Sequence, residues 1–172
     1  MDNIVLCGFM GAGKTVVGEK LHELMNYNFI DMDEWIEKEQ NMTINKIFQI
    51  YGETYFRDLE HEMCKKIANL QKCIVSTGGG TITYKRNVKE IKKVSKIFFL
   101  NSSYSVICER LKDDNTRPLF QDKIKAKKLY DERKEKYFEA ADYVINADLS
   151  VEETALKIID ILKNEKGGEK YL

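Results

Sequence analysis

The sequence predicts an α/β fold, a parallel sheet with helices packed on both faces, and three observations carry that prediction. Gly8-Phe9-Met10-Gly11-Ala12-Gly13-Lys14-Thr15 fits G-x-x-x-x-G-K-[ST], a loop whose backbone N–H groups wrap phosphate oxygens. It stands between the apolar run Ile4-Val5-Leu6-Cys7, suited to a buried strand, and a stretch with helical apolar spacing. Beyond it, short β-rich runs alternate with helical patterns to the end of the chain, as strands buried on both sides require.

Taken in order, the first helix carries Val16, Val17, Leu21, Leu24 and Met25 as one apolar face. Tyr27 to Asp31 reads as the second strand, followed by a helix over about 34–40. A further helix from Thr43 places Ile44, Ile47, Phe48 and Tyr51 on one side and stops at Gly52. Glu53 to Ala68 reads as a charged helix with Tyr55, Phe56, Leu59, Met63, Ile67 and Ala68 inward. Cys73-Ile74-Val75-Ser76 is the third strand and runs into Thr77-Gly78-Gly79-Gly80. A basic helix over 86–94 precedes the fourth strand, Lys96 to Leu100, and a helix spans 103–111. The stretch of about 112–124 holds the only proline, Pro118, lacks apolar periodicity and is long for a connection, which suggests a lid. A helix over 125–140, a strand at Tyr143-Val144-Ile145 and a last helix opened by the Ser150/Glu153 capping box complete the pattern. From Lys163 the chain is polar, and a disordered tail is expected over 165–172.

Composition narrows the class. At 172 residues the chain suits one domain, 1–172, with a proper core. Lys plus Arg and Asp plus Glu balance at 28 each, which argues against nucleic acid or an anionic membrane as the main partner. No apolar run reaches the length of a membrane span. Cys7, Cys64, Cys73 and Cys108 are scattered without a Cys-x-x-Cys pair, which indicates free thiols in a cytoplasmic protein. A monomer is expected.

The motifs give the chemistry. Lys14 brings a positive charge to the β- and γ-phosphates of ATP, and Thr15 offers a hydroxyl to Mg²⁺. Ligands gather where the strands of an open parallel sheet end. Asp31 and Asp33 arrive there: Asp31 as a second Mg²⁺ partner beside Thr15, Asp33 two residues along the strand as an acceptor for a hydroxyl proton, or else as a helix cap. The glycine triplet is suited to backbone N–H donation, or to a tight turn. Arg57 and Glu60, three apart on a helix, taken alone read as a solvated ion pair.

Gly52-Glu53-x-x-Phe56-Arg57-x-x-Glu60, together with Asp31-x-Asp33, Ser76-Thr77-Gly78-Gly79-Gly80 and Arg117-Pro118-Leu119, resembles the shikimate kinase family. The similarity runs from the phosphate loop to the last strand. It implies a three-layer α/β/α sandwich with a five-stranded parallel sheet in the order 2-3-1-4-5. The implied activity is transfer of the γ-phosphoryl group of ATP to the 3-hydroxyl of shikimate, in chorismate and aromatic amino-acid biosynthesis; a kinase of another small hydroxy acid such as gluconate, or a nucleotide-switched binding module, are the alternatives. By the same resemblance Lys14, Asp33 and Arg117 are catalytic, with Arg117 the lid arginine. Gly11, Ala12, Gly13, Lys14, Thr15, Val16, Arg110 and Arg117 contact the nucleotide, with Arg110 packing on adenine. Asp33, Phe48, Phe56, Arg57, Gly79, Gly80 and Arg133 bind the acceptor in a region of about 32–62 and the helix of Arg133, and Glu60 orients Arg57. Two departures stand out: Arg133-Lys134-Glu135-Lys136-Tyr137 lacks the usual proline, and Ala147 and Leu149 replace a threonine and an arginine near the adenine.

Overall fold

The computed structural model describes residues 3–113 and 122–166. Arg117, Pro118 and most of the expected lid lie outside the described residues, as do 167–172 of the expected tail.

Strands β1 (Asn3–Cys7), β2 (Asn28–Asp31), β3 (Cys73–Ser76), β4 (Ser95–Asn101) and β5 (Tyr143–Asn146) form, among the described residues, one sheet in the order β2-β3-β1-β4-β5. Every pairing is parallel. Side chains alternate along a strand, and both alternating sets here are apolar, so both faces are buried. Val5, Cys7, Val75, Ile97 and Phe99 belong to one core cluster. Ile4, Leu6, Ile74, Phe98 and Leu100 belong to the other.

The second face is covered by α1 (Lys14–Met25) and α7 (Val151–Lys166); the first by α2 (Met32–Gln40), α3 (Ile44–Ile67), α4 (Lys85–Ile91), α5 (Tyr104–Leu111) and α6 (Lys123–Ala140). Helix α3 is two helices meeting at Gly52, whose φ of 81° interrupts them. The helix ends follow side-chain chemistry. Asp31 caps α2, Thr43 caps α3, Ser103 caps α5 and Asp122 caps α6. Ser150 and Glu153 close the capping box of α7, which runs to Lys166, two residues into the expected tail.

Two apolar faces differ from expectation. In α1 the buried residues are Val17, Gly18 and Leu21, while Val16 and Leu24 are exposed. Gly18 packs so closely on Phe29 that a Cβ there would lie 2.3 Å from the ring, which turns the buried arc toward Gly18 and puts Val16 on the opposite side. Tyr51 and Tyr55 also point outward and stack on each other with centroids 4.6 Å apart. The break at Gly52 between them is where the sequence put it; what differs is that the two rings pack on each other instead of on the core.

Register positions the site. Leu6 pairs with Ser76, and Ser76 with Asp31, so three strands end in one row. The phosphate loop leaves β1 one residue later and the glycine triplet leaves β3 beside it. Asn3 sets this alignment from the other end of the sheet. It is fully buried, its Nδ2 donates to the Leu70 carbonyl at 2.9 Å, and its Oδ1 accepts from the Cys73 N–H at 3.0 Å.

Asn3→Leu keeps the branched skeleton and strips both partners, leaving a buried donor and acceptor unpaired. The expected loss is on the order of 1–3 kcal/mol, read as a lower urea midpoint; an unchanged midpoint would remove Asn3 from this role.

Candidate active site

Gly13 precedes α1 with φ 94°, and no side chain caps that helix, so its positive end faces the loop. Lys14 folds back over the loop and donates to the carbonyls of Gly8 at 2.9 Å and Phe9 at 3.1 Å. Gly11, Ala12, Gly13, Thr15 and Val16 follow the loop into the first turn. Arg110, from α5, donates to the carbonyls of Gly11 at 3.2 Å and Ala12 at 3.3 Å, to Ser102 Oγ at 3.2 Å and to the carbonyl of Ala147 at 2.8 Å. It thereby clasps the segment after β5 to the phosphate loop. Ala147 is buried, with its carbonyl facing Arg110 where the sequence suggested only a missing adenine contact.

Asp31 divides its carboxylate. Oδ1 accepts the N–H groups of Asp33 and Glu34 at 3.0 and 3.2 Å, and Oδ2 accepts the Thr15 hydroxyl at 3.1 Å. Sequence spacing put Asp33 on the strand with Asp31. In fact β2 ends at Asp31, and Asp33 sits in the first turn of α2. Asp31 is therefore the helix cap, and the Asp33 side chain is left to face the pocket.

The glycine triplet shows what that pocket holds. A Cβ on Gly78 would lie 2.9 Å from Asp33 Oδ1 and 3.0 Å from Glu60 Oε1. On Gly79 it would lie 3.1 Å from an Arg133 guanidinium nitrogen and 3.9 Å from the Gly8 carbonyl oxygen of the phosphate loop. On Gly80 it would meet the Arg57 guanidinium at 2.5 Å. Side chains from α2, α3 and α6 thus close on three bare residues, and any substituent there would displace them. Phe48 and Phe56 stand alongside with ring centroids 4.7 Å apart, and the Arg57 guanidinium lies 5.4 Å from the Phe56 ring.

Arg57 and Glu60 are no surface pair. Glu60 is 1% exposed; its Oε2 accepts from Arg57 at 2.7 Å and its Oε1 from Thr81 Oγ1 at 2.6 Å. Burial pulls the Arg57 guanidinium pKa down, but the charge and hydrogen bond of Glu60 outweigh it and hold it above its ordinary value. Glu53 Oε1 accepts two further hydrogen bonds from Arg57 on the exposed side, from Nε at 3.3 Å and Nη2 at 3.1 Å. Asp33 is shifted the other way. Burial, then the charges of Asp31 and Glu60, raise its pKa from 3.8 to about 6, against the opposing pull of Lys14.

Of the residues singled out in the sequence, Lys14, Thr15, Asp31, Asp33, Arg57, Gly79, Gly80, Arg110 and Arg133 come together along one sheet edge; Arg117 lies outside the described residues. Sequence reasoning noted Tyr137 only as part of the Arg133–Tyr137 motif and gave it no contact, whereas its hydroxyl donates to the Gly79 carbonyl; it missed Thr81, which holds Glu60. Tyr137 stands four residues after Arg133 on one helix, so its face was deducible; nothing in the sequence pairs Thr81 with Glu60. In chemical terms, a phosphate cradle abuts a pocket with two fixed cations and a buried carboxylate, able to hold a small hydroxylated anion against a nucleotide.

A family model described as shikimate kinase matches residues 10–163. Shikimate kinase of Thermodesulfovibrio yellowstonii is 44% identical over 163 residues, covering 92% of this chain and 94% of that protein. That of Caldicellulosiruptor saccharolyticus is 41% identical, covering 94% and 95%. The structure of shikimate kinase from Acinetobacter baumannii in complex with shikimate superposes with a TM-score of 0.90 at 33% identity, covering 96% of this chain and 95% of that one.

Glu60→Ala would leave the Arg57 charge half-buried with its inner partner gone. The expected loss of stability is about 3–5 kcal/mol, reduced to the extent that Glu53 compensates. Chemical denaturation checks it, and a loss below about 1 kcal/mol would show that the pair is effectively solvated.

Proposed function

The chain belongs to the shikimate kinase family, and from that premise we propose how its own residues divide the transfer of the γ-phosphoryl group of ATP to the 3-hydroxyl of shikimate. One observation carries the division: Arg57, Arg133 and Asp33 converge on the glycine triplet, one residue's width from the phosphate loop.

The two guanidiniums hold the acceptor carboxylate, each planar fork able to donate two hydrogen bonds to its oxygens. Glu60 keeps the Arg57 fork in place without reaching the acceptor. Phe48 and Phe56 wall the ring, and Gly79 and Gly80 let it approach the backbone. Asp33 accepts the hydroxyl that is to be phosphorylated and aligns it with the γ-phosphorus. Lys14 moves its charge from the loop carbonyls to the β- and γ-phosphates, and Arg117 adds its charge to the transferred group. A loose transition state asks for positioning and charge neutralisation more than for covalent help.

Mg²⁺ fits this edge. Thr15 Oγ1 and Asp31 Oδ2 are hard oxygens 3.1 Å apart beside the loop, and no cluster of three acidic, His or Cys residues is present among the described residues. Mg²⁺ is suited to such a site, since it takes one or two protein oxygens together with phosphates and water. Bound there, the ion neutralises charge on the phosphate oxygens. The same proposal includes the mid-chain lid, a monomeric enzyme and a reducing cytoplasmic setting, the last supported by four cysteines that form no disulfide.

The decisive experiment is an ADP-release assay across sugar acids. Turnover should require shikimate, and equal or better turnover with gluconate would overturn the acceptor assignment. Lys14→Ala should cripple transfer to any acceptor, whereas Arg133→Ala should chiefly raise the shikimate KM, with a loss on the order of 2–5 kcal/mol.

Asp33 adds a pH dependence. Its proton-accepting form is lost as pH falls through about 6, so kcat/KM for shikimate should drop below that value. Stability runs the opposite way. A carboxyl with a raised folded-state pKa stabilises the fold fully below its unfolded value, near 4, and that contribution is lost as pH rises through about 6. Asp33→Asn should therefore raise the melting temperature at pH 8, by up to about 3 kcal/mol in stability, and not at pH 4, while abolishing transfer. A melting temperature that fails to rise at pH 8 would contradict the burial argument.

A further inference from the structure

We propose that Tyr137 is a positioning residue for the acceptor, acting through the Gly79–Gly80 peptide rather than on the acceptor itself. The inference rests on the function proposed above and assigns a task to a side chain that function leaves unused.

Each carbonyl of the triplet has a keeper. The Gly78 carbonyl accepts from the Thr81 N–H at 3.2 Å, and the Gly80 carbonyl from the N–H and hydroxyl of Thr83 at 3.1 and 2.7 Å. The Gly79 carbonyl accepts from the Tyr137 hydroxyl. Of these three, only the last contact comes from outside the turn, and it falls on the peptide most in need of it. A peptide flanked by two glycines meets little steric resistance to flipping.

Fixing that carbonyl also fixes a donor. In a trans peptide the C=O of Gly79 and the N–H of Gly80 point in opposite directions, and the described chain contains no cis bond. The Tyr137 hydroxyl therefore turns the Gly80 N–H away from itself. Among the described residues nothing accepts that N–H, and the Arg57 guanidinium stands against the same Gly80, where a Cβ would be. The phenol is well placed for the task. Tyr137 is 1% exposed, its ring packs 5.1 Å from Phe99, and burial holds its pKa well above the usual value, so the donor proton stays. Arg133, one helical turn earlier, closes on the same Gly79.

Tyr137→Phe keeps the ring and its packing and removes the hydroxyl, which donates to the Gly79 carbonyl and is also hydrogen-bonded to the Arg133 side chain. In steady-state assays of wild type and variant, with shikimate and ATP varied separately, the shikimate KM should rise about threefold to tenfold while the ATP KM stays constant. A change shared equally between the two substrates marks a merely structural residue and overturns the proposal, as does an unchanged shikimate KM. A second measurement uses wild-type protein alone. In ¹⁵N-labelled enzyme the Gly80 amide signal should shift on addition of shikimate; no shift overturns the proposal. Wild type that turns over shikimate beside a variant with normal KM overturns Tyr137's role alone. Wild type that does not turn it over overturns the acceptor assignment as well.

Discussion

Everything at this sheet edge depends on the steric bareness of Gly78, Gly79 and Gly80. Asp33 and Arg57 approach to distances at which a single methyl group would have to displace them, and Arg133 to one at which it would have to give way by a few tenths of an ångström. Two guanidiniums and a carboxylate from three different helices can share one small pocket only because the floor has no side chains. The parallel sheet makes this useful. Its strands end in register, so the floor lies beside the loop that cradles phosphate, and donor and acceptor sites meet without a long reach.

Charge is organised with equal economy. Glu60 is buried to hold Arg57, and Thr81 satisfies its remaining oxygen. Asp33 receives no such compensation, and its raised pKa records the discomfort of a carboxylate near two others away from water. The two carboxylates carry different tasks because their partners differ. One is neutralised and serves to fix geometry; the other is kept short of partners, and so remains available to a substrate hydroxyl.

Much of this was legible in the sequence. The phosphate loop, the five strands and the helices came from motif and periodicity, because both faces of a parallel sheet leave an unmistakable apolar record in Ile4–Cys7 and Ile97–Leu100. Periodicity failed at particular side chains. Gly18 drew helix α1 onto Phe29 and left Val16 exposed; in α3 the break at Gly52 was legible, but Tyr51 and Tyr55 pack on each other outside the core. Asp33 was recognised for the right chemistry but placed on the wrong element, since a strand extended two residues and a helix begun two residues earlier read alike. Glu60 and Thr81 show the deeper limit: their hydrogen bond joins residues 21 apart, and only the folded chain reveals which buried charges are satisfied.

The split carboxylate of Asp31 has a consequence for how such a protein can change over time. One oxygen holds the start of the helix that presents Asp33, and the other reaches Thr15 at the mouth of the phosphate loop. Asparagine could still cap the helix but would bring no negative charge to the loop; glutamate would keep the charge but overreach the cap. Drift at this position is therefore penalised twice over, through architecture and through chemistry, and neighbours that relieve one penalty do nothing for the other.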